Sequence, residues 1–316
     1  LYAKQQTIVM DAIVHYLFGT ASVRPTVIRC GSATVTPRGT LHIVEVEITH
    51  PSGNDLREEQ QNTNSVWKQE LFTRCIPYIA SAFNEEVQSL SEESRRQHYL
   101  HLVNGERLFV AVMEGSCSCF EACGHCLTTM HRLPTPSSSS SSFLMHVDGM
   151  VVSPSIQGGG VGLKLVGAAM HSGLARFNQV MTTADEGEGG RRLYVTARTQ
   201  NEAILKLFYG CGCGISSPDR KIHVFPVAHR CDVLSEEWTS LRQVAAEVAR
   251  QQNPEVEYDE ERGVFPRMYP PFLRRVFGGN PNFPSKQATL PGHCSLTEHM
   301  NVAEGDAALL CLRIAQ

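Results

Sequence analysis

The run Met150-Val151-Val152-Ser153-Pro154-Ser155-Ile156-Gln157-Gly158-Gly159-Gly160-Val161-Gly162 constrains this chain more than any other stretch. A short apolar strand breaks at Pro154, tightens through glycines and runs into a helix. Glycine lets the backbone approach an anion with no Cβ in the way, and the amides and positive dipole end of the following helix then face the negative charge. Leu163, Val166, Met170, Leu174 and Phe177 recur at helical spacing and are predicted to form the buried face of that helix.

Spacing separates the phosphate-binding loops from one another. A dinucleotide fingerprint needs G-x-G-x-x-G, and counting from Gly158 puts Leu163 where the third glycine belongs. A P-loop needs a lysine and a hydroxyl residue after its last glycine, yet Leu163 follows Gly162. The pattern that fits is Q/R-x-x-G-x-G/A, filled by Gln157, Gly160 and Gly162 after a V-x-P strand end at Val152 and Pro154. In this motif the chain resembles the acyl-CoA pyrophosphate loop of the GNAT superfamily of N-acetyltransferases.

The neighbourhood extends the resemblance. The family's order after the loop is helix, strand, then a helix that starts with asparagine and ends in a turn before the last hairpin. Leu193-Tyr194-Val195-Thr196-Ala197 is a β-rich run, and Asn201, Ile204, Leu207, Phe208 and Gly212 resemble the N-x-x-A-x-x-L-Y-x-x-x-G-F helix. Upstream, Leu108 to Val112 and Cys126 to Met130 resemble the family's second and third strands. The match runs from Thr26 to Val227. It implies an α/β (α+β) GNAT acyl-CoA N-acyltransferase fold, with a mixed central sheet flanked by helices. The domain expectation is residues 1–232 for this fold and 233–316 for a helical or irregular C-terminal extension.

Composition sets outer bounds. A chain of 316 residues with 42% hydrophobic content supports one large or two modest cores. A net charge of −4 gives no global pull toward nucleic acid or anionic membrane. No run approaches the roughly 18 apolar residues of a spanning helix. Eleven cysteines, an odd number without a small-domain disulfide pattern, suggest a reducing compartment, cytoplasmic or mitochondrial. The chain opens on Leu1 rather than methionine, which leaves a removed leader or tag open.

Around the motifs, Thr26 to Cys30 and Leu41 to Ile48 read as strands, and Pro51 to Ser65 as a polar linker. Trp67, Leu71, Ile76, Ile79, Phe83 and Val87 mark an amphipathic helix of the kind that flanks the acceptor site in the family. Pro134 to Ser142 is a serine-rich insertion, and Thr182 to Gly190 an acidic, glycine-rich one. Leu234-Ser235-Glu236-Glu237 opens a further helix, with Trp238, Leu241, Ala245 and Val248 along one face. Ala308 to Leu312 reads as a last strand.

Acyl transfer to an amine needs a base for the ammonium proton, a donor for the developing oxyanion and an acid for the leaving thiolate. By resemblance, the backbone of Val151 and Val152 pairs with the pantetheine arm, and Gln157, Gly158, Gly159, Gly160, Val161, Gly162 and Asn201 hold acetyl-CoA. On the strand before the loop, His146 and Asp148 share a face with Met150 and Val152 by alternation. Asp148 is the candidate base, against the plainer reading that it hydrogen-bonds a neighbouring turn. The family's acid, a tyrosine, aligns with Phe208, which has no proton to give. Tyr209 is the catalytic substitute, about 100° further round the helix. Gly159 stands where the family often has a basic residue, which leaves Lys164, Arg198 and Lys206 to meet phosphates or to be solvated surface charges.

Cys117, Cys119, Cys123 and Cys126 cluster around His125, but C-x-C-x-x-x-C-x-x-C is not a standard metal knuckle and a strand there points alternate side chains apart; no metal is expected. Arginines interleave with aromatics from Phe265 to Arg275 as in single-strand RNA binders, although such residues are more often surface or interface, so direct nucleic-acid contact is not expected. The expectation is an acyl-CoA-dependent N-acetyltransferase whose partner is an amine acceptor, small molecule or protein. The alternative is a catalytically silent GNAT-fold structural or regulatory subunit of a larger assembly, a ribonucleoprotein being one such.

Overall fold

A computed structural model describes residues 2–19, 25–30, 33–48, 66–116, 119–133, 142–182, 192–199, 201–215, 223–226, 236–252, 254–268 and 296–315. The fold is mixed α/β, a mixed β-sheet flanked by helices, as the resemblance implies. It divides into two compact units, Leu1–Thr129 with Asp148–Ala169, and Met130–Val147 with Met170–Gln316.

The first unit carries α1 (Tyr2–Phe18), β1 (Thr26–Cys30), β2 (Thr34–Thr36), β3 (Gly39–Glu47), α2 (Val66–Ala82), α3 (Glu92–Val103) and β4 (Arg107–Glu114). It also holds most of β5 (Phe120–Leu133) and the end of β6 (Ser142–Val152). Strand β3 runs antiparallel to β1 on one side and β4 on the other, and β4 pairs with β5. The β2–β3 turn demands its glycine. At Gly39 φ is +138°, and a Cβ there would sit 2.2 Å from the Glu114 carbonyl oxygen. The core joins Leu71, Ile76 and Ile79 of α2 and Leu102 of α3 to Val44, Val46, Leu108 and Val110 of the sheet. Trp67, Leu71, Ile76 and Ile79 are buried as their spacing predicts, but α2 ends at Ala82, so Phe83 and Val87 pack from the segment beyond it. Helix α3 starts at a Ser91 cap that accepts the Ser94 amide at 3.0 Å, with Glu92 and Glu93 in its first turn.

The second unit carries β7 (Arg192–Thr199), α5 (Glu202–Ile215), β8 (Val224–Phe225), α6 (Glu236–Gln252), β9 (Val264–Phe265) and β10 (Ala307–Ala315). Here β6 is parallel to β7, from Ser142↔Arg192 to Val147↔Ala197. Strand β10 lies antiparallel along β7, from Ala308↔Thr199 to Ala315↔Arg192, and pairs on its other side with β8 and β9. The strand expected over Ala308 to Leu312 is therefore interior to the sheet. Strands β8 and β10 form the antiparallel pair that follows α5, separated in the chain by residues 226–306. The expected boundary between 232 and 233 falls outside the described residues, and elements on both sides of it belong to this unit. In α6, Trp238, Leu241, Ala245 and Val248 are all buried, and the Trp238 ring meets Phe225 at 5.0 Å.

Helix α4 (Val161–Thr182) begins in the first unit and ends in the second. Val166, Met170 and Phe177 are buried as expected, but Leu174 is only half-buried and Leu163 is 43% exposed. The first turn is anchored instead through Val161 and Leu165, which are 3% and 0% exposed. Residues 51–65, 134–141 and 183–190, and the tail segment Gln287 to Pro291, lie outside the described residues. Among the described residues no helix is long and apolar enough to cross a membrane.

Leu309 is fully buried against the α6 side of β10. Leu309→Ala is expected to cost about 3 kcal/mol through lost burial and an unfilled cavity, read as a lowered urea midpoint with an unchanged slope.

Candidate functional site

The loop starts where β6 is made to stop. The Ser153 amide donates to the Cys123 carbonyl at 2.9 Å, and a single 3-10 turn, Pro154–Ile156, follows. At Gly124 a Cβ would meet the Val151 carbonyl oxygen at 2.9 Å and a Leu165 methyl at 3.3 Å, so glycine lets β5 lie this close to the end of β6. Gln157 then folds back, its Nε2 donating to the Val152 carbonyl at 3.0 Å. The motif's glutamine thus pins the loop to its own strand.

Beyond Gln157, Gly158 and Gly160 take φ of +85° and +78°, conformations that side chains rarely adopt. Nothing lies within 4 Å of where a Cβ would stand at either. Gly158, Gly159 and Gly160 are exposed, and α4 begins immediately at buried Val161. The amides of that first turn have no intrahelical acceptor and sit at the positive end of the helix dipole. Val151, Val152, Gln157, Gly158, Gly159, Gly160, Val161 and Gly162 all lie in the first unit, with open space at Gly158 and Gly160. The chemistry on offer is capture of a phosphate by backbone donors.

Sequence reasoning missed one cation beside this loop. The guanidinium of Arg38, exposed on the β2–β3 turn, donates to the Ser155 carbonyl. The only local signal was the Thr36-Pro37-Arg38-Gly39 turn. Its partner is 117 residues away.

Asp148 also lies in the first unit, half-buried, and its Oδ2 accepts the Thr129 hydroxyl at 2.7 Å. Asn201, Phe208 and Tyr209 lie in the second unit. Asn201 caps α5. Its Oδ1 accepts the Ala203 amide at 2.8 Å, its carbonyl the Ile204 amide at 2.9 Å, and its own amide donates to Thr199 Oγ1 at 2.9 Å. Phe208 is fully buried, whereas Tyr209 is half-buried.

His146 is buried and bonded through Nδ1 to Thr196 Oγ1 at 2.8 Å, and its Nε2 has no partner among the described residues. Burial, then Arg198 and His131, push its pKa down to about 3. In the first unit, buried His125 is bonded to the Tyr78 hydroxyl at 2.8 Å, again with an unpartnered Nε2. Burial and His101 bring it to about 3, and burial raises the thiol of neighbouring Cys75 to about 12. Both imidazoles are neutral at pH 7. Cys123 and Cys126 are buried and in no disulfide, Cys117 lies outside the described residues, and no three potential ligands gather at metal-binding geometry among those described. Of the arginines in the aromatic segment, Arg274 and Arg275 lie outside the described residues, while the Arg267 amide is held by Asp306 at 3.1 Å. A separate cavity of about 560 Å³ opens beside Ala12, His15, Tyr16, Glu70 and Arg74, and contains none of the residues named from the sequence.

No protein-family model matches the chain, and no curated protein matches it. Among solved structures, a mutant AtaT toxin bound to the C-terminus of the antitoxin AtaR and acetyl-CoA shares 15% identity, with a TM-score of 0.23 over 34% of this chain and 57% of that one. A KacTA–DNA complex gives 16% and 0.26 over 54% of this chain and 83% of that one. AtaT complexed with acetyl-methionyl-tRNAfMet gives 14% and 0.24 over 54% and 85%. The chain thus spans just over half the length of the first of these, and likenesses this slight carry no argument about activity.

The two buried histidines make a pH prediction. In the unfolded chain each takes a proton near pH 6.5, but in the folded protein only near pH 3. Stability is therefore full above about 6.5 and lost as pH falls below it, by about 1.4 kcal/mol per pH unit for each histidine. Urea unfolding at pH 7 and pH 5 is expected to show the loss, and His146→Gln to halve the part that the two histidines contribute.

Proposed function

We propose that this protein is an acyl-CoA-dependent N-acyltransferase that transfers an acyl group, acetyl in the simplest case, to an amine by direct attack. One observation carries the reading. The Gln157–Gly162 loop combines left-handed glycines, open space above them and a helix start directly behind, which is the chemistry a diphosphate needs. Acetyl-CoA would supply the acyl group as an activated thioester. The β6–β7 ladder stops at Val147, so the peptide groups of Val151 and Val152 lie beyond it and suit an extended pantetheine arm.

The chain's own residues then have a proton to move. Asp148 is the base we assign, taking a proton from the ammonium through a water, with the Thr129 hydroxyl orienting its carboxylate. Tyr209, half-buried on α5, is the residue we assign as proton donor to the leaving thiolate. Asn201 serves by setting the start of α5 through its cap. A second reading, a silent GNAT-fold subunit, has its own support. The residue at the family's acid position, Phe208, is locked in the core.

Calorimetric titration with acetyl-CoA tests the site. Saturable binding is expected, and Gly160→Asp, which puts a carboxylate where the phosphates would lie, should weaken it at least about 10-fold. No binding at millimolar ligand would end the enzyme reading. For catalysis, Asp148→Asn is expected to lower kcat by about 100-fold with little change in acetyl-CoA affinity, and Tyr209→Phe to lower it by less. Tight binding with no turnover across an amine panel would leave the silent subunit.

A further inference from the structure

We propose that Arg38 is the cation that meets the CoA diphosphate, which makes the β2–β3 turn part of the cofactor site. The inference rests on reading the glycine loop as a CoA cradle. From Ser153 to Gly162 the loop has no positively charged residue. Backbone amides and a helix dipole attract an anion, but a diphosphate carries more charge than half a unit of dipole offsets.

Arg38 is built to supply the rest. Its guanidinium donates to the Ser155 carbonyl, two residues before Gln157. A guanidinium has five N–H donors in a planar fork, so this bond leaves others for a phosphate oxygen. The side chain is exposed, and the positions of Gly158 and Gly160 open on empty space. The turn beneath it is held in place. The Arg38 amide donates to Thr36 Oγ1 at 3.3 Å, that hydroxyl donates to the Gly39 carbonyl at 2.8 Å, and Gly39 admits no side chain. A cation held at the rim before the ligand arrives loses less freedom on binding than a free side chain would. Lys164, exposed on the first turn of α4, has no such tether recorded.

The test is a titration of wild type, Arg38→Ala and Arg38→Gln with CoA, dephospho-CoA and pantetheine, at low and high salt. Arg38→Ala and Arg38→Gln are each expected to weaken CoA and dephospho-CoA about 10-fold, to leave pantetheine unchanged, and to differ less from wild type at high salt. If wild type fails to bind CoA, the cradle reading itself falls. If wild type binds CoA and Arg38→Ala binds equally well, only the role of Arg38 falls. A loss confined to CoA would move the contact to the 3′-phosphate and overturn the diphosphate assignment. A loss that is independent of salt and restored by Arg38→Gln would make Arg38 a tie between hairpin and loop, and would also overturn it.

Discussion

The bond from the Ser153 amide to the Cys123 carbonyl decides where β6 ends, and the candidate site depends on that ending. With β5 holding Ser153, the next residue is a proline that cannot donate to a ladder, so the chain must turn. Gln157 then uses its side chain to hold the last strand carbonyl, at Val152, which keeps the turn compact. The glycines that follow are left with no packing duty. That is why Gly158 and Gly160 can face open space just before α4 begins. Gly124 supplies the other half of the arrangement, since any side chain there would push β5 off the end of β6.

Features that depend on near neighbours were legible in the sequence. The glycine loop is written in consecutive residues, and its turn and helix start follow from backbone rules alone. The buried faces of α2 and α6 follow from spacing, because one helix buries one stripe. Leu163 shows the limit of that rule. It keeps the helical period but sits in a first turn already anchored by Val161 and Leu165. The apolar run in β10 reads as a strand, yet its place between β7 and β8 depends on pairing with residues more than eighty positions away. Arg38 was illegible for the same reason. Nothing near a Pro-Arg-Gly turn reveals that its guanidinium ends on Ser155.

The proton chemistry is less complete than the cradle. His146 lies on β6, but an imidazole held near a pKa of 3 is a poor base at neutral pH, and its Nδ1 is already engaged by Thr196. His125 is placed likewise, with Tyr78 on one nitrogen. Burial has turned both into neutral, structural groups. Asp148 is different because it is only half-buried, with Oδ2 accepting the Thr129 hydroxyl.

Binding and turnover are therefore separable demands on this chain. The loop is shaped by its glycines and by the Gln157 bond to the Val152 carbonyl, not by packed side chains. Acid–base work needs particular side chains at particular places, and fully buried Phe208 fills its place in the core with no hydroxyl to satisfy. For that reason, acetyl-CoA binding alone does not decide between enzyme and subunit, whereas the response to Asp148→Asn does.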